Sequence, residues 1–200
     1  MGRDCLLVVF VKNLIKGKVK TRLAKTIGDQ EAYRVYEKLV SITEKSASGS
    51  NCKKEVWYSD YIDHEDLFDK TIFKKRLQNG ENLGQRMKSS IAKGFDEGYG
   101  KVVIIGSDCP DLSTEIIEEA FEQLNSNDVV IGPSPDGGYY LLGMNKFTPQ
   151  LFHGIDWSTP NVLNQTTDVL DYLNYKYAKL PVLNDVDTKE DLEMSSLMNA

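Results

Sequence analysis

Six cations stand in one acid-free stretch: Lys12, Lys16, Lys18, Lys20, Arg22 and Lys25 lie between Asp4 and Asp29. They are part of a total of 24 bases, so the rest of the chain carries 18 against 30 acids. Aspartates close several apolar segments further on: Asp108 after VVIIGS, Asp136 after VVIGPSP, and Asp185 and Asp187 after LPVLN. The lysine run alone reads as a solvated loop, but the mixture has a physical use. A hard divalent cation takes one or two carboxylates plus phosphate oxygens of a substrate, while lysine and arginine neutralise the remaining charge. Phosphoryl chemistry run this way needs positioning rather than an activated nucleophile. The common nucleophilic arrangements are missing. There are two histidines, His64 and His153, with no evident Ser or Cys partner, and neither G-x-S-x-G nor H-E-x-x-H occurs.

Each candidate has a plainer reading beside it. A carboxylate at a strand end, as Asp108 in G-S-D-C-P, is held where a ligand reaches it, although a turn aspartate before proline would look the same. Asp111 is a weaker second ligand, because it opens a helix where an acid is favoured anyway. Asp136-Gly137-Gly138 permits positive φ and close approach of backbone to ligand, and is also an ordinary hairpin turn. Asp185 and Asp187, two residues apart, point to one side if their segment is extended. Tyr139 and Trp157 could stack on a base or sugar, or serve as core and rim aromatics. Cys109 reads as a small buried residue.

The chain's general character narrows the partners. With 200 residues it is read as one domain over residues 1–200, and a net charge of −6 argues against a general nucleic-acid binder. One basic segment in an acidic chain suits a small anion better than a long phosphate backbone. Cys5, Cys52 and Cys109 are odd in number and widely spaced, so neither a disulfide framework nor a zinc site is indicated. The longest strongly apolar run, residues 6–11, is far short of the ~18 residues a membrane span needs. The expected setting is cytoplasmic.

These residues must be positioned by strands and helices. Residues 5–12, CLLVVFVK, have the continuous apolar pattern of a strand buried on both faces of a parallel sheet. The lysine stretch after it reads as a loop, and apolar spacing predicts a helix over residues 29–45 followed by a loop at 46–51. Strands are expected at 55–59, 72–78, 102–105, 128–132 and 139–144, with an extended segment at 180–183. Helices are expected from Leu83, from Thr114 with Ser113 as N-cap, from Pro160 with Thr159 as N-cap, and from the Thr188/Asp191 capping box. Alternation of strand and helix gives an open, mainly parallel α/β sheet, in which ligands bind beyond the carboxyl ends of the strands.

In that order the chain carries FVK...GKVKTRLA, QNGENLGQRM, VVIIGSDCPDL, VVIGPSPDGGYYLLG, F-x-x-I-D-W-S-T and DVDTKEDL. The combination resembles a bacterial family of glycosyltransferase-like proteins, also called radical-SAM/selenodomain-associated transferases, over nearly the whole chain. The resemblance implies the nucleotide-diphospho-sugar transferase superfamily: a Rossmann-like GT-A fold, a mostly parallel mixed sheet with helices on both faces. It also implies phosphate contacts from Lys12, Lys20 and Arg22, a metal-binding Asp108, and a second acidic position at Asp185 or Asp187. Asp136, Gly137, Gly138 and Tyr139 would border the acceptor or sugar pocket. The chain has Leu14 where the family usually has proline, and lacks the L-A-G-G-x-S-x-R-M loop of typical nucleotidyltransferases. A diphospho-sugar donor therefore stands as open as a nucleoside triphosphate. The resulting expectation is a Mg2+- or Mn2+-dependent transferase that moves a glycosyl or nucleotidyl group to a small acceptor. Asp108, Lys20 and Arg22 would be its catalytic residues. The alternative is a non-catalytic nucleotide-binding or partner module of the same fold. A phosphatase is a third reading, weakened by the missing D-x-D-x-[TV] near the first strand.

Overall fold

The computed structural model describes residues 4–198. Seven strands form one sheet: β1 (Cys5–Val11), β2 (Lys53–Tyr58), β3 (Phe73–Leu77), β4 (Lys101–Ile105), β5 (Val129–Pro133), β6 (Tyr139–Met144) and β7 (Tyr177–Lys179), in the order β3-β2-β1-β4-β6-β5-β7. Only β6 runs against the others. The carboxyl ends of β1, β4 and β5 and the start of β6 therefore share one edge. β1 is third in that order, paired on both sides with β2 and β4, and all seven of its residues are buried.

Helices cover both faces because β1 and β4 offer apolar side chains to both. Leu7, Val9 and Val11 pack with Val103 and Ile105 against α1 (Thr21–Ile27), α2 (Asp29–Gly49) and α4 (Thr114–Gln123), through Leu23, Tyr36, Leu39, Ile117 and Phe121. On the other face Leu6, Val8, Val102 and Ile104 meet α3 (Leu83–Asp96), the 3-10 turn Pro149–Phe152 and α5 (Val162–Tyr172), through Met87, Ile91, Leu151 and Leu170. The last helix is α6 (Lys189–Met194), whose capping box uses Thr188 and Asp191 as the sequence predicts. Ser113 caps α4 by accepting from the Ile116 amide.

Four boundaries differ from expectation. The basic stretch is not all loop: α1 occupies its second half, hidden from pattern reading because Leu23 is its one buried residue. The segment after residue 45 continues as helix to Gly49, since Ala47 is buried and Ser46 is tied to the α4 entrance, donating to Leu112 O and accepting from Thr114. Thr159 does not cap a helix at Pro160; α5 begins at Val162, and the Thr159 hydroxyl donates to Asp156 O. The strand near the end is Tyr177–Lys179, after which Leu180 and Leu183 still donate to β5 carbonyls without regular pairing.

Candidate active site

The first candidate side chains come from the turn after β1. Val19 and Leu23 are buried and anchor that turn to the core. Between them Lys20 takes a left-handed backbone (φ 46°, ψ 45°) as the residue preceding α1. That conformation is costly for a residue with a Cβ, and it aims the side chain inward. The Lys20 ammonium, on a side chain only 4% exposed, lies 2.6 Å from Asp108 Oδ1 and 3.0 Å from Asp187 Oδ1. Burial works against its charge, but the two carboxylates outweigh it and hold the ammonium above the ordinary lysine range.

Asp108 is placed by the end of β4. Ser107 is buried, and its hydroxyl lies 2.8 Å from that of Tyr36 on α2, which also accepts from the Lys12 amide at 2.8 Å. Tyr36 thus joins the β1 end, the β4 end and the floor beneath Lys20, whose Nζ stands 5.9 Å from its ring. Burial, and then the Asp108 charge, push this hydroxyl above its usual value, which makes it a hydrogen-bonding strut at neutral pH. Asp185 and Asp187 come from the segment after β7. Val186 between them is buried and donates to Asp108 O at 3.0 Å, so the two carboxyls flank an anchored residue. Burial, followed by the charge of Asp108, raises the Asp185 carboxyl to about 7; Lys20 opposes this, while Asp136 and Asp187 add to it. Four aspartates therefore share one neighbourhood.

Lys12, Lys20, Arg22, Tyr36, Asp108 and Asp187 line a cavity of about 100 Å³. Arg22 is two-thirds exposed, and its contact with Asp187 is long at 3.5 Å. An exposed pair of this kind holds the arginine only weakly. A wider cleft of about 570 Å³ lies between β3 and α3, but its buried cations are already committed, Lys75 to Asp66 and Arg76 to Glu55 and Glu97. The smaller cavity is the candidate site, and in it Lys12 makes no ion pair among the described residues. Nor does any group of three or more His, Cys, Asp or Glu among the described residues form a metal cage. Two carboxylates converging on one point do suit magnesium, which keeps waters and takes its other oxygens from substrate phosphates.

The family described as "Uncharacterized protein conserved in bacteria (DUF2064)" matches residues 42–159. The chain belongs to the DUF2064 family. A solved structure from Desulfovibrio desulfuricans, named provisionally a nucleotide-diphospho-sugar transferase, is 34% identical, with TM-score 0.90 over 100% of this chain and 88% of its own. The fold is likewise shared with 4-diphosphocytidyl-2C-methyl-D-erythritol synthase from Anaerococcus prevotii (12% identity, TM-score 0.62, 99% and 96% covered). It is also shared with a CMP:2-keto-3-deoxy-manno-octonic acid synthetase complexed with CTP (10%, 0.57, 98% of each). No curated protein matches the sequence. The DUF2064 chain thus has the nucleotide-diphospho-sugar transferase fold.

The remaining candidates of this DUF2064 protein lie on the β5–β6 turn. Asp136 Oδ1 accepts from Ser134 and from the Gly138 amide, which closes the turn on itself. Gly137 has φ +87°, and a Cβ there would stand 2.1 Å from Pro160 O. Its own carbonyl accepts from Leu163 N at 2.8 Å, so the turn is latched to the start of α5. Tyr139 does not face the carboxylates with its hydroxyl. Its ring meets Trp157 edge-on at 6.5 Å, and the buried hydroxyl has no hydrogen-bond partner among the described residues. Gly137→Ala is expected to cost at least about 2 kcal/mol of stability, because it combines a strained φ with a backbone collision. Urea unfolding measures it; a loss near zero would mean that the latch is not formed. Tyr36 was hidden in the sequence as one member of an apolar helical stripe. The available signal was its hydroxyl, which a buried position must satisfy.

Proposed function

We propose that this protein is a cytoplasmic transferase that binds a nucleotide donor with Mg2+ or Mn2+ between Asp108 and Asp187 and moves a nucleotidyl or glycosyl group to a small acceptor. The observation that carries the reading is the convergence of Lys20, Asp108 and Asp187 at the carboxyl edge of the sheet, with Arg22 beside them. When bound, the metal supplies Lewis-acid charge at the donor phosphates. Lys12 and Arg22, reaching from the turn after β1, neutralise phosphate charge that develops during transfer. Asp136 and the backbone of Gly137 and Gly138 border the acceptor side, and Asp185 orients the acceptor hydroxyl. About 100 Å³ encloses a cation and a phosphoryl group only, so the base and sugar lie along the open edge. Among the described residues no helix is long and apolar enough to cross a membrane, and the three thiols are free.

Thermal unfolding against nucleoside triphosphates and nucleotide sugars, each with and without Mn2+, tests the reading. A true donor at a hundred times its dissociation constant adds ~2.7 kcal/mol of stability. A metal-dependent shift with one base and release of labelled product in the presence of acceptor is the expected result. A shift without turnover, even to hydrolysis, would favour a non-catalytic binding module, for which Leu14 and the missing diglycine loop speak. No shift with any nucleotide would end the proposal.

A further inference from the structure

The position of the Lys20 ammonium raises a question of occupancy. It sits within hydrogen-bond distance of one oxygen from each of the two carboxylates proposed to hold the metal, at 2.6 and 3.0 Å. Magnesium needs oxygens at ~2.0–2.1 Å in near-octahedral order, so a cation bridging those same two oxygens claims the space the nitrogen holds. Two cations cannot share it. Arg22 is no substitute, being exposed and 3.5 Å from Asp187 alone. An ammonium is a compact point charge on a long, jointed stem, and it can leave without moving the backbone that carries it. That backbone is fixed between buried Val19 and Leu23. Behind the ammonium, the Tyr36 ring and the Ser107 hydroxyl close the floor, whereas the cavity continues toward Lys12 and Arg22.

We infer that Lys20 is the resident counter-ion of the Asp108–Asp187 pair, that a divalent cation enters by displacing it, and that the displaced side chain swings toward Lys12 and Arg22 to grip the donor phosphates. This rests on the reading of the carboxylate pair as a metal site. The metal-free pair is thereby reduced from two net negative charges to one and kept closed, and metal entry and phosphate grip become one event. The balance is between ions only: one ammonium leaves the carboxylates as one divalent cation arrives.

The inference predicts an effect opposite to that of an ordinary binding residue. Lys20→Gln should bind Mn2+ alone, with no nucleotide present, about tenfold more tightly than the native protein, because a competing positive charge is gone. The same variant should bind nucleotide with Mn2+ more weakly. Calorimetric titration with MnCl2 reads the first, and Asp187→Asn is the control that must lose Mn2+ affinity. A second readout uses the native chain: acylation of Lys20 by an N-hydroxysuccinimide ester, followed by mass spectrometry, should rise several-fold when Mn2+ is added. Equal or weaker Mn2+ binding by Lys20→Gln overturns the inference, as does Lys20 labelling that stays level or falls. If neither chain binds Mn2+ while nucleotides still shift the native melting point, displacement fails and the nucleotide reading stands. If Lys20→Gln does not fold, the labelling of the native chain decides.

Discussion

Asp108→Ala should abolish the metal-dependent part of nucleotide binding and lower turnover by about 10²–10³, the loss typical when one charge-stabilising group is removed from a preorganised site. Asp108 follows β4 at the shared strand edge, is fixed by the buried Ser107 before it, and makes the shorter of the two Lys20 contacts at 2.6 Å. Alanine there removes an oxygen proposed to hold the metal and also leaves Lys20, 4% exposed, with Asp187 alone. A buried charge that loses a partner costs about 1–3 kcal/mol, so the variant should also unfold at lower temperature without ligand. Asp108→Asn keeps the shape and separates the two effects: milder loss of stability with the same loss of metal dependence. The assignment would be sunk by an alanine variant that keeps native nucleotide affinity with unchanged dependence on Mn2+.

The second large effect concerns Asp185 and pH. Its carboxyl is raised from 3.8 to about 7, by burial first and by Asp108 next. Between those values the native state keeps a proton that the unfolded chain has already released. Stability therefore falls as pH rises from about 4 to about 7, by up to roughly 4 kcal/mol at ~1.36 kcal/mol per unit. Asp185→Asn has no such proton to lose. Its stability relative to the native protein should be unchanged near pH 4 and higher by about 2–4 kcal/mol at pH 8 in a chelating buffer. Denaturant unfolding at several pH values measures the gap. Parallel curves for the two proteins would show that Asp185 does not sit among the other carboxylates. If the cluster holds metal as proposed, added Mn2+ should narrow the gap at pH 8 by stabilising the native carboxylates.

Legibility in the sequence followed burial. β1 was readable because every residue of CLLVVFV is buried, which leaves a continuous apolar run. The caps of α4 and α6 were readable because Ser113, Thr188 and Asp191 act through local hydrogen bonds. α1 was not, since a short helix with one buried leucine has no periodicity to detect. Asp108 and the lysine stretch were legible as candidates from the strand-end rule. The contact of Lys20 with Asp187 was not, because nothing local links residues 167 apart. Tyr36 was concealed by its neighbours: in the stripe with Ala32, Leu39 and Val40 a tyrosine reads as one more core residue. Tyr139 shows the reverse limit, for a DGGY turn places the backbone at the edge without saying that the ring turns away toward Trp157.

The anchoring of Val186 to the Asp108 carbonyl has a consequence for how the molecule is made. Contacts between distant parts of a chain form late, because loop closure precedes any reward, and parallel sheets are slow for that reason. Synthesis proceeds from the amino end, so Lys20 and Asp108 emerge well before Asp187, and the loop between Lys20 and Asp187 spans 167 residues. A nascent chain with β1 to β6 already paired would hold its cations and only one of their two counter-charges. On the proposed function, competence arrives in a single late step, and a half-made molecule is silent toward a donor.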